Sequence, residues 1–211
     1  MGAYIVVILS AYILGSISFS VIISKKMAGF DVREKGSGNA GSTNVLRSVG
    51  KKAAAITLLC DVLKGVVAVL IAYIIGLIIG ENIDKTLLVQ LAGFFVILGH
   101  TFPVFFGFKG GKGIATALGV LLVTNWNIGL VCLAFALVVM AITRMVSLGS
   151  IAAAILFPIL VIFVGHNAYI ADGGYFIYSL LLAALVLFNH RSNIKRLIEG
   201  KENKLSFKEN K

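Results

Sequence analysis

Charge is scarce in this chain. Only 13% of its 211 residues are Asp, Glu, Lys or Arg, and just nine are acidic. No polar stretch is long enough to build a soluble domain. The few carboxylates form no cluster beside the polar motifs described below, so no divalent metal site is expected. Cysteine is rarer still. Cys60 and Cys132 both fall in apolar segments, which argues against a disulfide framework or a thiolate metal centre and reads them as small core residues. A basic region ahead of the first apolar run (3–23) is also missing, and the run is too long for a cleavable leader. Lys25 and Lys26 follow it at once, as after a first transmembrane helix whose N-terminus lies outside. Internal repeats and low-complexity tracts are absent.

What the chain has in abundance is apolar sequence: 59% of residues are hydrophobic and the mean hydropathy is +0.99. These values place it among polytopic, all-α membrane proteins. The net charge of +10 does not indicate nucleic acid here, because cytoplasmic loops of membrane proteins collect Lys and Arg. Seven apolar segments are visible, at about 3–24, 53–79, 86–106, 113–124, 128–142, 146–165 and 174–189. A full span takes roughly 20 apolar residues, and the fourth and fifth segments are short. They read as one long kinked helix, a re-entrant hairpin or two short helices. The charges favour seven segments with the N-terminus outside and the C-terminus cytoplasmic, since 17 of the 19 cations then face inward. On this topology the loop at 107–113 dips into the membrane. Residues 1–198 form a single transmembrane domain, and 199–211 are a polar cytoplasmic tail, a frayed helix or partly disordered. His166 falls on the outer side and receives no role.

Three polar clusters then share the cytoplasmic face. The first, 35–47, holds Gly36, Gly38 and Gly41, three hydroxyl residues, Asn39, Asn44 and the flanking cations Lys35 and Arg47. Glycines let backbone N–H groups converge on an anion, and Ser37, Asn39, Ser42, Thr43 and Asn44 add donors. Arg47 can fork two oxygens of one phosphate. The plain alternative is a glycine-rich loop that merely caps the second segment. The second cluster runs from Gly99-His100-Thr101-Phe102-Pro103 to Lys109-Gly110-Gly111-Lys112-Gly113. It is not a Walker A loop, because Phe106 and Gly113 stand where glycine and Ser/Thr are required. Two lysines among glycines before a helix start still suit an anion, against the alternative of an ordinary positive-inside turn. The third is 190–196, where His190, Asn193 and Arg196 share one helical face; its alternative is a basic membrane anchor. Ser147, in the turn after Arg144, can reach the same site. Asp61 and Lys64, at i and i+3 inside the second segment, read as a structural ion pair.

The chain resembles the PlsY family of integral-membrane acyltransferases. The resemblance rests on 36–47, on 99–103 with 108–116, and on 190–197 with Gly200 and Glu202. It covers nearly the whole chain in order, and its one visible departure is Ser42, where alanine is expected. The resemblance implies seven transmembrane helices in a bacterial plasma membrane and an active site at the cytoplasmic face. It implies acyl transfer from acyl phosphate to glycerol-3-phosphate, giving lysophosphatidate and inorganic phosphate. This is the first acylation step of phospholipid synthesis, without acyl-CoA or acyl-carrier-protein. It implies no cofactor, the lipid bilayer as surroundings, and an acyl-phosphate-producing enzyme as functional partner. Carried over position by position, the implied catalytic residues are Ser37, Arg47, Lys109 and His190. The implied substrate-binding residues are Gly36, Gly38, Asn39, Gly41, Thr43, Asn44, His100, Gly110, Gly111, Lys112, Ser147, Asn193 and Glu202.

Chemistry agrees with this. Two phosphate-bearing substrates need cationic, donor-rich clusters, and an activated acyl donor needs mainly positioning and oxyanion stabilisation. Backbone N–H groups of 36–44 and Lys109 can supply the latter. No Ser-His-Asp set is present, so no acyl-enzyme is expected. The proton acceptor stays open between His190 and a substrate phosphate, which the resemblance favours. The His-x-x-x-x-Asp signature of soluble-type acyltransferases is absent: Phe105, Ala171 and Lys195 stand five residues beyond the three histidines. An organic-phosphate transporter would place polar groups near the midplane in repeated halves. A purely structural lipid-binding protein is the third reading.

Overall fold

The structure, a computed structural model, describes residues 1–164 and 174–205. His166, Asp172 and the tail beyond residue 205 lie outside the described residues. Among the described residues the secondary structure is helical: α1 (Gly2–Gly15), α2 (Phe19–Ala28), α3 (Ser42–Ser48), α4 (Lys51–Ile79), α5 (Lys85–Thr101), α6 (Ile114–Thr124), α7 (Trp126–Thr143), α8 (Val146–Val164), α9 (Gly174–Asn189) and α10 (Arg191–Ile198). Single 3₁₀ turns occur at Val32–Glu34, Gly80–Asn82 and Val104–Phe106. Five stretches are long and apolar enough to cross a membrane: Gly2–Ala28, Lys51–Asn82, Lys85–Phe106, Trp126–Thr143 and Val146–Phe163. α9 and α10, bent by 64°, make a sixth if taken together. α6 is too short, at about 16 Å for its 11 residues.

Helix boundaries follow local chemistry. Gly29 closes α2 in the left-handed conformation. Asp84 caps α5 by accepting the Leu87 amide at 2.9 Å. α5 ends before Pro103, which holds Phe102 out of the helical region. Asn125 separates α6 from α7, so the fourth and fifth apolar segments form two helices, of 11 and 18 residues. The first segment, expected as a first transmembrane helix, is one candidate span interrupted at Ser16-Ile17-Ser18. The reason is distant in sequence: the Lys64 ammonium donates to the Gly15 carbonyl at 3.1 Å and to that of Ile17 at 2.9 Å. Those bonds stabilise carbonyls that an interrupted helix leaves without intrahelical partners. Lys64 also pairs with Asp61 at 2.8 Å, the ion pair expected from the sequence.

The chain divides into two compact units, Met1–Trp126 and Asn127–Lys211. In the first, α4 packs against α1, α2, α3, α5 and α6, and α1 against α5. The face of α4 that turns inward is made of small and polar residues: Thr57, Asp61, Gly65, Ala68, Ala72 and Gly76. The opposite face carries Leu59, Leu63, Leu70, Ile74 and Leu77, all exposed. Lipid is as apolar as leucine, so helices in a bilayer gain by close backbone approach rather than by burying large side chains. Glycine makes the approach possible. A Cβ on Gly65 would strike the Thr116 carbonyl, and one on Gly119 would strike that of Val62. Gly15 and Gly99 do the same between α1 and α5, against Val96 and Tyr12. In the second unit, Gly149 brings α8 against α7 at Ala136, and the Phe157 and Tyr175 rings meet edge-on at 6.1 Å between α8 and α9.

Candidate active site

In the first unit, the polar sequence between α2 and α3 folds around one side chain. Asn44 is buried; its Oδ1 accepts the Ser37 amide at 2.9 Å. Its Nδ2 faces the carbonyl oxygens of Val32 (2.8 Å), Asn39 (3.0 Å) and Lys35 (3.1 Å). Gly36, at φ +57°, lies against the Asn44 Oδ1, and a Cβ there would collide with it. Asn44 therefore shapes the loop from within, with its amide committed to the backbone. The loop amides are partly spent as well: Gly38 donates to Lys35, Gly41 to Asn39 and Ala40 to Gly110. The broad set of 36–44 amides expected as oxyanion donors is correspondingly narrower. The Ser42 and Thr43 amides open α3 in its first turn, where helix N–H groups have no intrahelical acceptor.

This loop is bound to the second cluster. The Gly110 and Gly111 amides donate to the Thr101 and His100 carbonyls, each at 3.0 Å, folding the chain back on the end of α5. The Ala40 amide donates to the Gly110 carbonyl at 3.4 Å. Arg33 adds the strongest tie. Its Nε and Nη2 fork the Asp31 carboxylate at 3.0 and 2.8 Å. Its Nη1 donates to the carbonyls of Phe106 (2.6 Å) and Lys109 (3.2 Å). The Arg33 hydrogen bonds, which outweigh the opposing effect of burial, hold the Asp31 carboxyl at about 2. Neither Asp31 nor Arg33 was singled out from sequence, although Asp-x-Arg directly before a glycine loop is a usable signal. Gly111 is wedged between the His100 ring and the Ala40 carbonyl, with no room for a Cβ. Around this frame Ser37, Arg47 and Lys109 are exposed, while Asn39, Thr43 and Lys112 are partly buried. Thus the loops of the first two clusters are joined at Ala40–Gly110 and through Arg33, with Asn44 and His100 turned into the protein.

The second unit gathers the third cluster around Glu202. Its Oε1 accepts from Ser147 Oγ at 2.9 Å and Asn193 Nδ2 at 2.8 Å, and its Oε2 accepts from Arg196 Nε at 2.9 Å. Burial pushes the Glu202 carboxyl up, but these three donors prevail and hold it below its ordinary value. The Leu205 amide donates to the Arg144 carbonyl at 2.7 Å. The tail, expected as a frayed helix or disordered segment, is thus fixed through residue 205 by side-chain and backbone bonds. Asn193 and Arg196 share the face expected for them. His190 caps α10, is buried, and its Nδ1 lies 2.8 Å from the Val186 carbonyl. A carbonyl only accepts, so Nδ1 carries the proton and the lone pair of the neutral ring sits on Nε2. Among the described residues no three His, Cys, Asp or Glu side chains gather as metal ligands.

Comparison with known proteins decides what this arrangement belongs to. Residues 5–200 match the profile of the family described as Glycerol-3-phosphate acyltransferase. The chain belongs to the glycerol-3-phosphate acyltransferase family. A relative of that name from Clostridioides difficile (strain 630) is 49% identical over 206 residues, covering 98% of this chain and 97% of that one. Another, from Thermoanaerobacter sp. (strain X514), is 45% identical over 198 residues, 94% of this chain and 93% of that one. The crystal structure of PlsY (YgiH), an integral membrane glycerol 3-phosphate acyltransferase in its glycerol 3-phosphate form, superposes with a TM-score of 0.83 at 37% identity. It covers 96% of both chains. The lysophosphatidic acid form of PlsY gives 0.81 at 35% identity, over 96% of this chain and 95% of that one. The protein is therefore an integral-membrane acyltransferase of this family.

Proposed function

We propose that this protein transfers an acyl group from acyl phosphate to glycerol-3-phosphate, giving 1-acylglycerol 3-phosphate and inorganic phosphate. The observation that carries the reading is the pair of glycine loops stapled by Arg33, with Ser37, Arg47 and Lys109 exposed around them. Such a frame suits phosphate, which wants converging amides and cations held in fixed positions. The relatives' names supply the acceptor.

In the proposed step a glycerol-3-phosphate hydroxyl oxygen attacks the acyl carbonyl carbon. The new ester C–O bond forms and the bond from carbonyl carbon to phosphate oxygen breaks. Inorganic phosphate leaves with the bonding pair, and the hydroxyl proton passes to a base. Lys109, Arg47, Ser37 and the α3 amides stabilise charge on phosphate and on the developing oxyanion. Lys112, the Gly110-Gly111 backbone, Asn39, Thr43 and the backbone at Gly36, Gly38 and Gly41 line the same loops. Asn44 and His100 serve by holding those loops in shape. Ser147, Asn193 and Glu202 hold α10 and with it His190, whose Nε2 is a proton acceptor in the neutral ring; a substrate phosphate is the other. Neither cofactor nor metal is required by this chemistry.

Residues 1–198 act as one transmembrane domain in a bacterial plasma membrane. α6 counts as the seventh helix, the N-terminus lies outside, and the loops and C-terminal tail meet the cytoplasm. An enzyme that makes acyl phosphate supplies the donor.

The test is phosphate release by detergent-purified protein given palmitoyl phosphate and glycerol-3-phosphate. Release that requires both substrates and is lost in Lys109→Ala is expected. Turnover with palmitoyl-CoA and none with palmitoyl phosphate overturns the donor assignment.

A further inference from the structure

The mechanism proposed above assigns no task to two charged groups buried inside α4. Asp61 and Lys64 are 2% and 3% exposed, in the middle of a helix built to cross a membrane. Ionisable groups at such depth are rare and usually tied to function. Here every proton of the Lys64 ammonium has an acceptor: Asp61 Oδ1 at 2.8 Å and the Gly15 and Ile17 carbonyls. The same Asp61 oxygen faces Nδ1 of His100 at 3.4 Å, too poorly aligned for a hydrogen bond, so the ring nitrogen meets the carboxylate as a charge. His100 is itself buried. Its other ring edge abuts Gly111, and its own carbonyl receives the Gly111 amide at 3.0 Å. Gly111 in turn lies against the Ala40 carbonyl. An uninterrupted line of contacts therefore runs from the break between α1 and α2, through Lys64, Asp61 and His100, to the seam where the two glycine loops meet.

We propose that Asp61 and Lys64 are positioning residues for the phosphate-binding loops, and that they act through His100. Helix association alone does not call for charge at this place; small residues already close the α4–α6 and α1–α5 contacts, and a buried ion pair seldom outperforms apolar packing. What apolar packing cannot supply is a fixed charge that selects the orientation of one imidazole. That orientation decides where the opposite ring edge lies, and Gly111, which has no side chain to cushion it, follows that edge. Asp61 sets the ring, while Lys64 holds Asp61 and is itself anchored on the Gly15 and Ile17 carbonyls.

The inference rests on the acyl-transfer reading, and its test separates the two. Asp61→Asn, His100→Ala and the double variant are purified and assayed for kcat and KM with palmitoyl phosphate and glycerol-3-phosphate. Each single change is expected to lower kcat/KM at least tenfold, mainly through KM. The double variant is expected to be no worse than His100→Ala, because Asp61 acts through the ring. Additive losses overturn the proposal. Since Asp61→Asn leaves Lys64 unpaired and can fail to fold, the charge-free pair Asp61→Leu/Lys64→Met is measured beside it. Folded protein with wild-type kcat/KM overturns the proposal; folded protein with a tenfold loss supports it. In the wild-type protein, ¹⁵N-histidine labelling follows His100 directly. Its ring resonances are expected to shift when glycerol-3-phosphate is added, and unmoved resonances count against the proposal. Wild-type protein that does not turn over acyl phosphate defeats the acyl-transfer reading instead.

Discussion

Asn44 Oδ1 accepts the Ser37 amide across seven residues of glycine-rich loop, at 2.9 Å. Nδ2 of the same Asn44 side chain faces three backbone carbonyls. Asn44→Asp preserves the acceptor for Ser37 and sets a carboxylate against those carbonyls. It is expected to lower kcat/KM more than tenfold while the protein remains monodisperse in detergent. Steady-state phosphate release checks this, and an unchanged kcat/KM would mean that the loop keeps its shape without the clamp.

The Asp31–Arg33 fork leads to a pH prediction. A folded-state value of about 2 lies below the ordinary Asp value of about 3.9. The pair therefore stabilises the fold fully above pH ~4, and the contribution disappears as pH falls toward 2. The Tm difference between wild type and Asp31→Asn should be constant from pH 5 to 9 and shrink below 4. Arg33→Lys retains the charge without the fork and is expected to lose part of the Tm and most of the loop-to-loop tie.

Gly65 and Gly119 face each other's helix backbones, so a methyl group on either must push α4 and α6 apart. Gly65→Ala and Gly119→Ala are each expected to cost on the order of 1–3 kcal/mol, as overpacking does, and Gly119→Leu to abolish recoverable protein. Gly174→Ala, where nothing lies within 4 Å, is the control. Thermal unfolding followed by size-exclusion chromatography reads all four.

Glu202 joins Ser147, Asn193 and Arg196, so Glu202→Gln is expected to reduce kcat at least tenfold by leaving the Arg196 donor facing an amide. Glu202→Asp should recover part of the loss. Because the Glu202 carboxyl is held below its usual value, its contribution is present above the ordinary Glu value of about 4.3 and is lost as pH drops further. A kcat profile for Glu202→Gln that merges with wild type only at the acid end is the expected result.

Chelation offers a separate check. Turnover is expected to survive EDTA treatment, and activity restored by Mg²⁺ or Zn²⁺ after such treatment would require ligands outside the groups named here.

Much of the architecture was readable in hydropathy alone: segments 53–79 and 174–189 correspond closely to α4 and α9. Pro103 and Asn125 mark helix ends through backbone chemistry that any sequence displays. The break at 16–18 was not readable, because its cause, Lys64, lies 47 residues away from Ile17 and acts by hydrogen bonds. The site divides in the same way. Exposed groups such as Ser37, Arg47 and Lys109 stand out by residue type beside glycines. Asn44 has the same polar composition, yet a sequence cannot say whether an amide points at a ligand or at its own backbone. Arg33 resembles any other inward-facing cation until the Phe106 and Lys109 carbonyls are seen beside it.

Lys64 also bears on how the chain sits in a bilayer. Its ammonium serves carbonyls that belong to the preceding span. Without that donor, the Gly15 and Ile17 carbonyls at the break would need another partner within the hydrocarbon. The first span and α4 therefore share one set of backbone hydrogen bonds, and the break at 16–18 is completed by a side chain of the next span.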